Sequence, residues 1–203
     1  WPVRQTNFFG PRAYPHGNED NGSTTIKETL EALKELIDEG KIRYIGVSNE
    51  TAWGVSEYLR IAREHDLPRI VSIQNQYSLI NRTFEIGISE FCMREGLSLL
   101  PYSALNMGIL TGKYLDGARP EGARFSLTDR NQNRYDPDTD HGQDAVRAYV
   151  DLAKKHNLDP AEMAIAYTLT KPFVASTIIG ATKLDQLKTC IDAGETKLSD
   201  EVI

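Results

Sequence analysis

Residues Tyr102 to Tyr114 set an aromatic ring, a hydroxyl, two glycines and a lysine directly after a short apolar run, Leu97-Ser98-Leu99-Leu100-Pro101. The run reads as a buried strand. Its polar followers then sit just past a strand's C-terminal end, where α/β barrels carry their chemistry. The flat ring of Tyr102 can stack on a flat ligand ring. Gly108 and Gly112 let backbone approach a ligand, and Lys113 can meet a phosphate. Similar groups close other apolar runs: Ser48 and Asn49 after Ile42–Val47, Gln74 after Ile70–Ile73, and Gly180 with Thr182 after Ser176–Ile179. Asn and Gln each offer a donor and an acceptor, so both can recognise a carboxamide. The Gly180-Ala181-Thr182 turn opens a helix whose free N–H groups suit a phosphate.

Each group also has a plain structural reading. Ser48-Asn49 reads equally as a helix cap, Gln74 as a satisfied strand end and Tyr102 as core packing. Lys113 reads as a solvated lysine and Gly180-Ala181-Thr182 as an ordinary turn. Their joint placement at consecutive strand ends tips the balance. Carboxamide recognition, ring stacking and phosphate binding together describe a nicotinamide dinucleotide.

The elements that must position these groups alternate. Residues 3–24 read as a long polar loop. Thr25-Ile26-Lys27-Glu28 is a capping box, opening a helix with Ile26, Leu30, Leu33 and Ile37 on one face and Gly40 at its end. A strand over Ile42–Val47 follows, then a helix from Thr51 to His65 carrying Val55, Leu59 and Ala62 inward. Ile70–Gln74 is the next strand, Thr83 to Glu95 the next helix, closed by Gly96, and Leu97 to Tyr102 the third strand. The segment between Asn106 and Gly142 shows no period. Two helices, Gln143–His156 and Pro160–Thr170, come next. The second has Asp159 at N-cap, Pro160 at N1 and Glu162 at N3. Ser176–Gly180 reads as a fourth strand, and a last helix carries Leu184, Leu187 and Ile191 inward. Strand–helix alternation with short links predicts parallel strands and right-handed crossovers.

The 203 residues suffice for one domain with a core. Net charge −6 and a pI near 5.3 disfavour nucleic acid and anionic membrane surfaces, and no apolar run reaches membrane-spanning length. Cys92 and Cys190 lack metal or redox spacing, so a cytoplasmic setting is expected and no metal site. His65 and His156 suit the C-terminal turns of helices. Trp1-Pro2 at one end and a capped helix start at Ser199 at the other lead us to expect a segment of a longer protein.

The chain resembles the aldo-keto reductases, in the Tas-like and potassium-channel β-subunit-like branch. The resemblance rests on Gly40 to Asn49, Gln74 to Ser78, Tyr102 to Leu105, Gly108 to Tyr114, and Gly180-Ala181-Thr182 with Gln186-Leu187. It spans nearly the whole chain in order and spacing. It implies an α/β fold, a (β/α)8 TIM barrel of which residues 1–203 would form the part from the end of strand 4 through strand 8. It implies reduction of aldehyde or ketone carbonyls with NADPH/NADP+. Ser48, Asn49 and Gln74 would hold the nicotinamide carboxamide and Tyr102 would stack on its ring. Ser103 and Leu105 would line the pyrophosphate path, Ala104 and Gly108 would also belong to the cofactor site, and Lys113 and Arg124 would reach over the cofactor or its phosphates. Gly180, Thr182 and Gln186 would bind near the adenosine phosphate. Where the family often has Glu-Asn after that Gln, this chain has Thr189-Cys190, which leaves adenine contacts open.

The family's Tyr, Lys, Asp and His acid–base set would precede Trp1, so no catalytic residue is expected in this chain, and Trp1 would flank the substrate pocket. Tyr44, Tyr58, Tyr77 and His65 do not stand in the matching context. The expected partner is a small-molecule carbonyl compound, with no nucleic acid and no membrane; a homo-oligomer stays open. The alternatives are a cofactor-binding regulatory protein of the β-subunit type and an inactive half-barrel, whose open edges would favour association.

Overall fold

A computed structural model of the chain describes residues 24–127, 136–138 and 140–203. The chain divides into two compact units: residues up to Asn75 with Phe84–Leu100, and Gln76–Thr83 with Pro101–Ile203.

In the first unit, helix α1 (Ile26–Asp38) starts on the expected capping box. Thr25 Oγ1 accepts from Glu28 N–H at 3.1 Å, and Thr25 N–H donates to Glu28 Oε2 at 2.8 Å. Gly40, at φ 72°, ends it in the left-handed conformation that glycine takes without steric cost. Strand β1 (Ile45–Ser48) is shorter than expected. The N–H groups of Lys41 and Ile42 both donate to Leu36 O, so they close α1 instead of entering a ladder. Helix α2 (Ala52–Glu64) is capped by Thr51 and buries Val55, Tyr58, Leu59 and Ala62. Strand β2 (Ile70–Gln74) lies as expected. The expected helix from Thr83 is broken: a 3₁₀ turn, Thr83–Glu85, precedes helix α3 (Ile88–Glu95), with Gly87 at φ 86° between them. Strand β3 (Ser98–Leu99) completes a parallel three-stranded sheet in the order β1-β2-β3. β1 pairs Gly46 with Ser72 and Ser48 with Gln74, so these strands end level. A side chain on Gly46 would have its Cβ 2.3 Å from Ser72 Oγ, which is why this face of β1 needs glycine.

In the second unit, Tyr102 forms a single parallel bridge with Gln76, not the end of a strand running from Leu97. Pro101 has no N–H for a ladder, and Ser103 turns the backbone to φ 55°. The segment after Leu105 holds 3₁₀ turns at Asn106–Thr111 and Leu115–Gly117 and a short helix α4 (Arg124–Leu127). Helix α5 (Asp140–Lys155) begins three residues before the expected start. Helix α6 (Pro160–Leu169) follows Asp159, whose carboxylate accepts from the N–H groups of Ala161 and Glu162. Its residues Met163 to Thr168 are all buried, the mark of a helix enclosed on every side. Tyr167 stacks on Tyr77 at 6.5 Å, and Phe173 meets Tyr77 edge-on at 5.5 Å.

Two expectations are corrected here. Ser176–Gly180 forms no strand among the described residues; its link to the neighbouring backbone is the bond from Ile178 N–H to Pro101 O at 2.8 Å. The proline cannot donate back, so no ladder propagates. Helix α7 (Leu184–Asp192) forms, but Leu184 is 85% and Ile191 60% exposed, and Leu187 is exposed as well. The helix instead turns Cys190 inward, to cluster with Ala104, Ile165 and Ala193. Among the described residues no helix is long and apolar enough to cross a membrane.

Candidate functional site

Ser48, Asn49 and Gln74 lie in the first unit, at the level ends of β1 and β2. Ser48 Oγ donates to Gln74 O at 3.0 Å, and Asn49 N–H donates to the same oxygen at 3.0 Å. One strand-end carbonyl thus ties three expected carboxamide ligands together. Asn49 sits at φ 57°, a conformation Asn tolerates better than most residues. The turn continues through Glu50, only 2% exposed, whose Oε2 accepts from Thr51 N–H at 3.1 Å. Asn75 Nδ2 donates to Glu50 O at 3.1 Å. Glu50 and Asn75 were not among the expected site residues. The amide run Gln74-Asn75-Gln76 was the one available signal for Asn75; a buried Glu50 has none, since an isolated glutamate reads as surface.

The remaining expected cofactor residues lie in the second unit. Tyr102 and Ser103 are half-buried and Ala104 is buried, with Leu105 packed on the Ala104 cluster. Three successive residues, Asn106, Met107 and Gly108, have positive φ, so the backbone coils tightly here. The Lys113 side chain folds back over Gly108: a Cβ at Gly108 would stand 2.8 Å from both Lys113 Cε and Nζ. Lys113 Nζ also lies 5.2 Å from the centre of the Tyr114 ring. Arg124 is exposed at the start of α4. Arg119, in the same segment, is engaged by Asp138. Thr182 and Gln186 are brought together, Thr182 N–H donating to Gln186 Oε1 at 3.1 Å and Thr182 Oγ1 at 3.2 Å. A Cβ at Gly180 would meet nothing within 4 Å. Thr189 Oγ1 donates to Asp185 O at 3.2 Å, within its own helix, and Cys190 is core. Trp1 lies outside the described residues.

Several polar atoms at these strand ends and loops are buried without a protein hydrogen-bond partner: Asn75 Oδ1 in the first unit, and Gln76 Nε2, Asn106 Oδ1 and Tyr114 Oη in the second. An open depression of about 550 Å³ is lined by Asp116, Gly117, Asp138, Gln143 and Asp144. It is lined by none of the expected cofactor residues. Among the described residues no group of three His, Cys, Asp or Glu could hold a metal ion. Burial pushes the Cys92 thiol up to about 11 and raises Cys190, on which the charge of Asp159 acts in the same direction.

The family model described as aldo/keto reductase family matches residues 1–203. The chain belongs to the aldo/keto reductase family. Protein tas of Escherichia coli (strain K12) is 53% identical over 203 residues, all of this chain and 58% of that protein. The putative voltage-gated potassium channel subunit beta of Schizosaccharomyces pombe is 33% identical over 186 residues, 89% of this chain and 54% of that protein. L-glyceraldehyde 3-phosphate reductase of Escherichia coli is 27% identical over 183 residues, 89% of this chain and 52% of that protein. This aldo/keto reductase chain therefore spans between 52% and 58% of the length of these three relatives. The family's (β/α)8 barrel agrees with the parallel β1-β2-β3 sheet and its intervening helices.

Proposed function

We propose that the protein carrying this chain is an oxidoreductase that reduces aldehyde or ketone carbonyls to alcohols with NADPH. Family membership supports oxidoreductase chemistry. The observation that carries the cofactor reading is the pair of hydrogen bonds from Ser48 and Asn49 to the Gln74 carbonyl. They lock three amide- and hydroxyl-bearing residues at adjacent strand ends, where a carboxamide finds both donors and acceptors. On this reading Ser48, Asn49 and Gln74 hold the carboxamide and Tyr102 packs on the ring. Ser103 and Leu105 follow the pyrophosphate, Ala104 and Gly108 also line the cofactor site, and Lys113 and Arg124 reach over the cofactor or its phosphates. Gly180, Thr182 and Gln186 take the adenosine phosphate. NADPH, when bound, supplies the hydride.

In this proposal the chain is the portion of the barrel from the end of strand 4 through strand 8, in a cytoplasmic protein. It supplies the cofactor cradle, and the Tyr, Lys, Asp and His that handle the proton come from outside these residues. Tyr44, Tyr58 and Tyr77 do not stand in for that Tyr: Tyr58 and Tyr77 are buried in core packing, and Tyr44 is exposed. Trp1 flanks the substrate pocket. The test uses the full natural protein: NADPH consumption with simple aldehydes, and NADPH affinity of Tyr102→Ala. The variant is expected to bind about tenfold more weakly, losing one ring stack and its buried area. Unchanged affinity would overturn the assignment of Tyr102.

The likeness to the putative channel subunit beta supports a second reading, a regulatory protein that binds NADPH as a redox signal. NADPH binding without aldehyde-dependent consumption would select it.

A further inference from the structure

The turn that presents Ser48 and Asn49 is short and sits between two fixed elements. β1 ends at Ser48, and α2 is capped by Thr51, whose Oγ1 accepts from Gly54 N–H at 3.2 Å. Between them the chain passes through Asn49 at φ 57° and the buried Glu50. Asn takes the left-handed region more readily than most residues, yet the bonds around it fix which conformation this turn keeps. The front of the turn is held by the two bonds to Gln74 O. The back is held by Asn75 Nδ2, which donates to Glu50 O at 3.1 Å. The end of β2 therefore grips the end of β1 in both directions: residue 74 accepts, residue 75 donates. Of the residues making these bonds, Asn75 and Glu50 have no assigned contact with the cofactor, and Asn75 is the one that donates from its side chain.

We propose that Asn75 is the positioning residue for the carboxamide end of the cofactor site, acting through the Glu50 carbonyl on Asn49 and Ser48; this rests on the NADPH reading above. Without its donor the turn can relax from φ 57°, and Ser48 and Asn49 lose their alignment with Gln74. Gly180, Thr182 and Gln186, proposed for the adenosine phosphate, take part in none of these bonds. The defect is thus specific to the nicotinamide half of the ligand, which separates positioning from a general loss of structure.

The experiment compares the full natural protein with Asn75→Ala, using three probes in equilibrium titrations. NADP+ carries both halves. The adenosine bisphosphate half lacks nicotinamide. The acetylpyridine analogue of NADP+ keeps the ring carbonyl and replaces the amide nitrogen by a methyl group. Asn75→Ala is expected to weaken NADP+ about five- to tenfold, the loss of one hydrogen bond. The adenosine bisphosphate half is expected to change by less than about twofold, and the preference for NADP+ over its acetylpyridine analogue to fall toward unity. Unchanged NADP+ affinity, or an equal loss for NADP+ and the adenosine half, overturns the proposal. If the alanine variant fails to fold by circular dichroism, the isosteric Asn75→Asp carries the test, since it also removes the donor, and the same outcomes decide. Wild-type protein that binds none of the three probes overturns the NADPH reading itself. Wild-type protein that binds them keeps that reading, however the variant behaves.

Discussion

Gly108 and Gly180 show how differently two glycines of one expected site are constrained. Gly108 sits at φ 94°, and any Cβ there would strike the Lys113 side chain at 2.8 Å. Gly108→Ala should therefore cost about 1–3 kcal/mol in denaturant unfolding and displace Lys113, so NADPH binding should weaken with it. Gly180 meets nothing within 4 Å. Gly180→Ala should change stability by less than about 0.5 kcal/mol. If the adenosine phosphate approaches this backbone, the same substitution should still weaken NADP+ in a titration; unchanged binding would remove Gly180 from the site. At this scale the amides and hydroxyls at strand ends were legible in sequence because their types and positions suffice. The buried state of Glu50 and the donor role of Asn75 were not, because both depend on a level ending of β1 and β2 that only pairing creates.

Elements were legible where a local signal starts or stops them. Thr25 with Glu28, Asp159 with Pro160, and Gly96 at φ 64° each bound a helix as expected. Thr25→Ala should remove the capping box of α1 and cost about 1 kcal/mol, read as a lower urea midpoint. Strand lengths were less legible, since a ladder needs a partner with a free N–H: Pro101 supplies none, and Ile178 is left with a single bond to its carbonyl. The β1–β2 contact offers a sharp test. Gly46→Ala would press its Cβ against Ser72 Oγ at 2.3 Å and Ser72 O at 3.0 Å. It should destabilise by about 1–3 kcal/mol. Ser72→Gly in the same chain should recover part of that loss, because the hydroxyl goes and the carbonyl stays. Strictly additive effects of the two substitutions would refute the contact as the cause.

For the whole chain, the buried thiol of Cys92 links stability to pH. Its folded value, near 11, lies above the ordinary 9.0. Below about pH 9 the thiol is protonated folded and unfolded, and the full stability is present. As pH rises from there toward 11, the unfolded thiol ionises first, so stability falls, by at most about 1.4 kcal/mol per pH unit. The difference between wild type and Cys92→Ala in urea midpoint should therefore shrink as pH rises through this window; a constant difference would contradict it. Expressed alone, the 203-residue chain should self-associate in size-exclusion chromatography, because Leu184, Leu187 and Ile191 leave an apolar stripe of α7 exposed. Leu184→Lys with Ile191→Lys should shift it toward smaller species.

What the sequence determined by itself was local and compositional. It set which residues cap helices, which runs are apolar, which strand ends carry amides and, through ordered motifs, membership of the aldo/keto reductase family. The spacing of Leu184, Leu187 and Ile191 determined that α7 has an apolar face. The tertiary structure decided that Cys190 and Ala193, not that face, meet Ala104 and Ile165. Amphipathic spacing says that a face is apolar, but which neighbour covers it depends on chain segments far away in sequence. The same reason made Asn75 a positioning residue only in three dimensions: its hydrogen bond reaches 25 residues back along the chain.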